Sequence, residues 1–160
     1  TRKVKNVKAQ DFLKQMKKID YIIANKMDEA KQWEAVATNI TAKLGGERVQ
    51  TSGSKEKMAD AICEKVDILS EITEEINRLL LKRKEIIQVL EQLNADEYDL
   101  MYKVYVGRMI MQNDGTLRNE YMTLKEVSDY YCNSYAWATN IHGTALKNVQ
   151  KIIDKEKTGA

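Results

Sequence analysis

Apolar residues recur every three or four positions along two long segments of the chain, which is the spacing of one face of an α-helix. The first stripe predicts a helix over residues 8–44 and consists of Phe12, Met16, Ile19, Ile23, Ala30, Trp33, Ala37, Ile40 and Leu44. The second stripe predicts a helix over residues 54–93 and consists of Met58, Ile62, Val66, Leu69, Ile72, Ile76, Leu80, Ile87 and Leu90. Ser54 is the predicted N-cap of the second helix. Residues 45–53 hold three of the seven glycines and predict a loop.

Two helices of similar length around a short loop predict an antiparallel hairpin. If a residue of the first helix lies opposite the residue of the second helix whose number adds to give 99, apolar residues meet along most of the hairpin. The resulting pairs include Ile23 with Ile76, Trp33 with Val66, Lys26 with Thr73 and Met16 with Arg83. This pairing leaves an apolar flank unused, formed by Val36, Ile68, Leu79 and Ile86. Burial of that flank predicts a homodimer, packing against the helix that follows, or both.

Shorter elements are predicted after residue 93. Asn94 caps a helix that extends to about residue 110, with Glu97 at its third position. Residues 107–121 form an insertion that is irregular or a short hairpin, with a turn at 113–116. A capping box of Thr123 and Glu126 starts a short helix that ends near Tyr131. The next three residues form a turn in which Asn133 can adopt a left-handed conformation, and Ser134 can cap a final helix that spans 135–155.

The composition favours an all-α fold in which few turns are needed. The 160 residues include no proline and are 43% hydrophobic and 31% charged. A net charge of +2 makes no general polyanion-binding surface, so any nucleic-acid contact has to be local. Cys63 and Cys132 form no disulfide framework, which favours a reducing compartment. No segment is apolar for long enough to span a membrane, so we expect a cytoplasmic protein.

Enzymatic chemistry is not expected from this sequence. It contains no glycine-rich phosphate loop, no nucleophile elbow and no cluster with metal-ligand spacing, and it has one histidine. His142 borders the apolar stripe of the final helix and is predicted to be a hydrogen-bonded packing residue. Trp137 is predicted to be mainly structural. We therefore expect no catalytic residues, no metal and no cofactor.

A short helix, a tight turn and a longer helix have the dimensions of a helix-turn-helix. In the final helix a buried stripe at positions 138, 141, 145 and 149 lies opposite an outer stripe that can face DNA. Asn140 on the outer stripe can pair with adenine, Ala136 and Thr139 can contact a thymine methyl group, and lysines can contact phosphates. The predicted DNA-binding residues are Lys125, Ser134, Tyr135, Ala136, Thr139, Asn140, Gly143, Lys147 and Lys151.

The order of residues from Thr123 to Val149 resembles region 4 of sigma-type transcription factors. Over most of the chain, including the loop around Arg48, the run from Leu93 to Leu100 and the final helix, the sequence resembles the phage-encoded ArpU/RinA-like late transcription regulators. This resemblance implies a small activator that recruits RNA polymerase to late phage promoters in a bacterial host. Two departures from the sigma pattern are Cys132 in place of the turn glycine and Thr144 in place of an arginine.

The predicted domains are a helical hairpin over residues 1–93, for oligomerisation or polymerase contact, and a sigma region 4-like DNA-binding domain over 94–160. The expected partners are double-stranded DNA, host RNA polymerase and a second copy of the chain, with no membrane. Two alternatives stay open at this point. The chain could be a DNA-recognition subunit for phage DNA packaging, similar to a small terminase subunit, or an interaction coiled coil that binds no DNA.

Overall fold

The computed structural model describes residues 8–44 and 52–159, which are mostly helical, as the apolar periodicity predicts. Within these residues the helices are α1 (Ala9–Leu44), α2 (Ser52–Glu91), α3 (Ala95–Met101), α4 (Leu124–Tyr130) and α5 (Tyr135–Thr158). A π-helical segment (Tyr102–Val106) extends α3, and the strands β1 (Arg108–Met111) and β2 (Leu117–Glu120) follow it. Most of the predicted loop, residues 45–51, and the side chains of Ile40, Leu44 and Met58 lie outside the described part of the chain.

Two predicted helix boundaries are wrong. Helix α2 already includes Ser52, so Ser54 lies inside the helix and is not its N-cap. The helix that Asn94 caps does not continue to residue 110, because the chain turns at Gly107, whose φ is 72°. A Cβ atom at this position would collide with the backbone carbonyl oxygen of Glu120. Only glycine therefore allows the chain to leave the π-helical segment and enter β1 beside β2.

Strands β1 and β2 form an antiparallel hairpin, which was one of the two forms predicted for the insertion at 107–121. Arg108 pairs with Glu120 at its base and Met111 with Leu117 near its tip. The turn includes Gly115, with φ of 80°, and the predicted turn at 113–116 is confirmed.

The chain divides into two compact units that are each described by themselves. The first unit comprises residues 8–21 and 81–159, and the second comprises 22–44 and 52–80. The predicted domains, 1–93 and 94–160, stay a prediction, because compactness does not identify which segments fold independently.

The core of the first unit is formed by apolar faces of all five helices and by the π-helical segment. Helices α3 and α4 both contact α5. The buried hydrophobic residues of this unit are Ala9, Leu13, Met16, Ile19, Ile86, Val89, Leu90, Leu100, Met101, Tyr105, Val106, Val127, Ala138, Ala145, Val149 and Ile153. Each large side chain that is fully buried stabilises the fold by about 1.5–3 kcal/mol. Ile86, predicted to lie on an uncovered flank, is therefore part of this core.

Side chains of α5 make polar contacts with α1 and α3. The backbone N–H of Ala9, at the start of α1, donates to Oε1 of Gln150 at 2.8 Å. The side-chain amide of Asn148 donates to both carboxylate oxygens of Glu97, each at 3.1 Å. Glu97 is buried, so these bonds offset part of the cost of removing its carboxylate from water.

Asp20 connects three segments of the first unit. Its carboxylate accepts a hydrogen bond from Nε of Arg83 at 2.9 Å and another from the hydroxyl of Tyr121 at 3.0 Å. The Asp20 side chain is 8% exposed and that of Arg83 is 25% exposed. Burial and the adjacent Asp20 carboxylate raise the pKa of Tyr121, which keeps its hydroxyl protonated as the donor. This network joins α1, α2 and the residue that follows β2.

The predicted pairing register between α1 and α2 is wrong. In the first unit Arg83 pairs with Asp20 instead of lying opposite Met16, and in the second unit Lys26 pairs with Glu75 instead of Thr73. Val66, predicted to pack on Trp33, is 59% exposed. The reason is that α2 carries two adjacent apolar stripes, and helical periodicity alone does not say which of them faces α1.

The ion pair between Arg83 and Asp20 is expected to stabilise the fold measurably. Arg83→Met leaves a buried carboxylate without its cation, and because Arg83 is partly exposed we expect a loss of about 2 kcal/mol in the free energy of unfolding. Urea denaturation measures this loss. The control Lys84→Met removes the charge of an exposed neighbour and should change the free energy by less than about 0.5 kcal/mol. Equal losses in the two variants would contradict the assigned role of Arg83.

Candidate nucleic-acid interface

Two side-chain caps fix where α4 and α5 begin, and both were predicted. The backbone N–H of Glu126 donates to the Thr123 hydroxyl oxygen at 3.2 Å, and Glu126 accepts from the backbone N–H of Thr123 at 2.7 Å. At the start of α5 the hydroxyl of Ser134 accepts from the backbone N–H of Trp137 at 3.1 Å. These bonds satisfy amide groups that would otherwise lack a partner, and they orient the two helices at their N-terminal ends.

The connection between α4 and α5 is a Schellman motif, and the left-handed residue is Cys132 (φ 50°), not Asn133 as predicted. The N–H of Asn133 donates to the carbonyl of Ser128 at 2.8 Å, and the N–H of Cys132 donates to that of Asp129 at 3.1 Å. In this hydrogen-bond pattern the first residue beyond the C-cap must be left-handed, and glycine usually occupies it. The side chain of Asn133 instead accepts from the N–H of Ser134 at 2.9 Å.

Helix α5 has one buried and one exposed face. Ala138, Ala145 and Val149 are fully buried, and Ile141 of the predicted stripe is half-buried. The predicted DNA-binding residues that are exposed are Lys125, Ser134, Tyr135, Ala136, Asn140, Lys147 and Lys151. Thr139 and Gly143 are half-exposed. Positions 136, 140, 143 and 147 lie on one face of the helix, since they are spaced by three or four residues.

The exposed face of α5 has local chemistry that differs from the rest of the chain. From Tyr130 to Ile153 the sequence contains no aspartate or glutamate. The Thr139 hydroxyl donates to helix carbonyls at 2.9–3.1 Å, so its methyl group remains for apolar contact. A Cβ atom at Gly143 would meet no other group within 4 Å, so packing does not require glycine there. Because Gly143 has no side chain, a ligand can approach the helix backbone closely at this position.

Lys125 lies on α4, away from the outer stripe of α5. Its ammonium group is 3.5 Å from a carboxylate oxygen of Asp129, and both side chains are more than 60% exposed. Such an exposed pair contributes little to stability, so Lys125 can exchange this partner for another anion.

An aromatic cluster that the sequence does not predict lies beside the connection. Lys103 donates to the hydroxyl of Tyr131 at 2.9 Å, and its ammonium group lies 5.1 Å from the ring centre of Tyr130. The ring of Tyr131 packs edge-on against Trp137 with 5.6 Å between centres, which supports a structural role for Trp137. Tyr130 is 64% exposed and is available to a ligand. The adjacent Tyr130 and Tyr131 before the predicted turn could have indicated an aromatic cluster. Lys103 is too distant in the sequence to be associated with them.

His142 is a hydrogen-bonded packing residue, as predicted. Its Nε2 lies 2.9 Å from the hydroxyl of Tyr105, and the two rings stack with 5.9 Å between centres. Burial lowers the pKa of His142 and raises that of Tyr105. The contact joins α5 to the π-helical segment.

A groove of about 790 Å³ in the first unit is lined by residues of the π-helical segment, the β-hairpin and α4. The groove is lined by residues of both positive and negative charge, among them Arg108 and Glu126. Its aromatic residues include Tyr102, Tyr121 and Tyr130. Among the residues that the structure describes, no three histidine, cysteine, aspartate or glutamate side chains are close enough to hold a metal ion.

Replacing Cys132 with glycine should stabilise the protein. A non-glycine residue in the left-handed region costs about 1–2 kcal/mol, and the greater freedom of glycine in the unfolded chain offsets only part of the gain. We expect Cys132→Gly to raise the free energy of unfolding by about 1 kcal/mol in urea denaturation. Cys132→Ala is the control, because it removes the thiol and keeps the strained backbone. A gain as large with alanine as with glycine would contradict this explanation.

The burial of His142 should make stability depend on pH. Because its pKa is lowered in the folded protein, the unfolded chain binds the proton more readily below the ordinary value of 6.5. The contribution of His142 is therefore complete above pH 6.5 and is lost as the pH falls through the lowered pKa. Glutamine can keep a hydrogen bond to Tyr105 without titrating in this range.

Denaturation of the wild type and of His142→Gln across pH 5–8 tests this dependence. The difference in free energy of unfolding between the two proteins should change in favour of the variant as the pH falls below 6.5. Tyr105→Phe is the control and should keep the pH dependence of the wild type. A constant difference between wild type and His142→Gln would show that His142 is not the titrating group.

Among the described residues, none of the helices has both the length and the apolar character needed to cross a membrane. Comparison of the chain with protein-family models, curated proteins and solved structures finds no match.

Proposed function

We propose that this protein is a transcription regulator that binds double-stranded DNA in a sequence-specific manner. In this proposal α4, the connection and α5 form a helix-turn-helix, and α5 enters the major groove. The observation that carries it is the exposed face of α5, which presents Asn140 and lysines and is free of carboxylates from Tyr130 to Ile153. A helix that approaches phosphates needs such a face, because a carboxylate would be repelled by them.

The residues along the outer stripe match the chemistry of base edges. The exposed amide of Asn140 can donate to N7 and accept from N6 of one adenine. Ala136 and the methyl group of Thr139 offer apolar contacts to a thymine methyl group. Gly143 presents no side chain, which supports a close approach of the helix to the DNA.

Phosphate contacts are assigned to the exposed lysines and to the start of α5. Lys147 and Lys151 lie about three and four turns after the start of α5, and Lys125 lies on the supporting helix. Ser134 caps the end of α5 at which the helix dipole favours negative charge, and the exposed Tyr135 hydroxyl can donate to a phosphate oxygen.

The first two helices are assigned to protein contacts. We propose that α1 and α2 run antiparallel as a long hairpin, supported by the ion pairs Asp20–Arg83 in the first unit and Lys26–Glu75 in the second. Activation of late phage genes through host RNA polymerase, in the cytoplasm of a bacterial host, is proposed on the resemblance described above. DNA footprinting with and without RNA polymerase tests that part.

Two substitutions on α5 should affect DNA binding in different ways. Asn140→Ala should weaken binding to the cognate site by about 1–3 kcal/mol and leave non-specific binding nearly unchanged, because the lost contact is to a base edge. Lys147→Ala should weaken binding to all duplexes and reduce the salt dependence by about one unit, because it removes a phosphate contact. Fluorescence anisotropy across a salt series measures both effects.

The control for these measurements is Lys157→Ala, which removes an exposed lysine from the far end of the same helix and should have little effect on either kind of binding. Circular dichroism confirms that each variant is folded. If Asn140→Ala binds the cognate site as tightly as the wild type, α5 does not read bases as proposed. If Lys147 and Lys157 contribute equally, the charge of the helix and not its outer stripe attracts the DNA.

A further inference from the structure

The side chains that the structure describes in the second unit bury very little apolar surface. Among the side chains described within residues 22–44 and 52–80, Ile72 is the one hydrophobic residue that is buried. Trp33 and Ile76 are half-buried, and Val66 is 59% exposed. A helix derives most of its stability in a protein from packing of its apolar face, so this unit gains from an additional surface.

Helix α2 carries an apolar stripe of heptad spacing in this unit, which we call the seam. Its members are Ile62, Val66, Leu69, Thr73, Ile76 and Leu80, separated alternately by four and three residues. Val66 and Leu80 are 59% and 46% exposed, and Ile62 and Leu69 are half-buried. Alternating steps of four and three are the spacing by which one helix packs along another in a coiled coil. The seam therefore has the form of an interface between helices.

The members of the seam are spaced identically on the two sides of residue 71. Two α2 helices in antiparallel orientation then place Ile62 opposite Leu80, Val66 opposite Ile76 and Leu69 opposite Thr73. We propose that the seam binds a second copy of this chain, with the two α2 helices antiparallel across a two-fold axis near residue 71. A two-fold interface uses the same patch on both subunits and requires this kind of self-complementarity.

Thr73 is compatible with an apolar layer of the seam. Its hydroxyl donates to the backbone carbonyl of Leu69 at 2.8 Å, one turn earlier in the same helix. The donor is therefore satisfied within the helix, and the methyl group remains to contact Leu69 of the second copy. Little polar surface is left unpaired in this layer.

One of the two edges beside the seam carries no charge between residues 62 and 80. Cys63, Ser70 and Asn77 recur every seven residues along this edge and are exposed, although 16 of the 40 residues of α2 are charged. In an antiparallel pair of helices these edges lie beside each other, with Cys63 near Asn77 of the second copy and Ser70 near its own counterpart. Small neutral side chains allow the helices to approach without repulsion between like charges. This surface favours a second copy over a charged partner.

The dimer does not depend on DNA binding, so its test uses the full chain without DNA. Sedimentation equilibrium of the wild type should give a dimer that dissociates on dilution. Val66→Glu places a charge in two symmetry-related layers of the seam and should raise the dissociation constant of the dimer by about 100-fold. Leu81→Glu is the matched control, since Leu81 is 62% exposed and lies outside the seam, and it should leave the dimer intact.

Disulfide crosslinking tests the orientation of the two helices. In a chain that also carries Cys63→Ser and Cys132→Ser, Ser70→Cys should give a covalent dimer on oxidation, because the two copies of residue 70 lie beside the two-fold axis. Glu71→Cys, on the side of the helix away from the seam, should crosslink much less.

Several results would overturn the proposed dimer. A monomer at all concentrations, a ring larger than a dimer, or equal effects of Val66→Glu and Leu81→Glu would exclude the seam as the interface. Crosslinking through Val66→Cys but not through Ser70→Cys would indicate parallel helices and would exclude the antiparallel arrangement. Circular dichroism of Val66→Glu should show a helical spectrum, because the side chain is already largely exposed in the single chain.

Discussion

The arrangement of the first unit depends on the burial of one face of α5. Alanines at positions 138 and 145 are fully buried there, and their small side chains let neighbouring helices approach closely. Helices α3 and α4 both contact α5, and Glu97 and Ala9 are held by polar side chains of the same helix. Once this face is covered, the opposite face is the one left to solvent. The location of the candidate interface is therefore a result of how the core is packed.

The features predicted correctly from sequence are those that depend on residues close together in the chain. The caps at Thr123 and Ser134 need only a hydroxyl three residues before an amide, so the local sequence is sufficient. The same holds for the start of α1 and for the turn before β2. For α5 the helical period also identified the buried face, since this helix has a single strongly apolar stripe.

The features that were missed depend on contacts between distant residues or on backbone hydrogen bonding. Nothing in the sequence around Asp20 indicates that its carboxylate accepts hydrogen bonds from Arg83 of α2 and from Tyr121. Residue type favours Asn133 for the left-handed conformation, whereas the hydrogen bonds of the connection require it at Cys132. The register of α1 against α2 failed because two stripes on α2 were each plausible. Residue preferences cannot decide such cases without the tertiary partners.

The hydrogen bond between Ala9 and Gln150 has a consequence for the order in which the protein folds. It joins residues that are 141 positions apart, so the loop that it closes contains most of the chain. Contacts of such long range form late, because the entropy lost on closing the loop is compensated only once many other contacts exist. During synthesis this hydrogen bond therefore forms only after Gln150 has left the ribosome, so the start of α1 gains this partner only once α5 has been made.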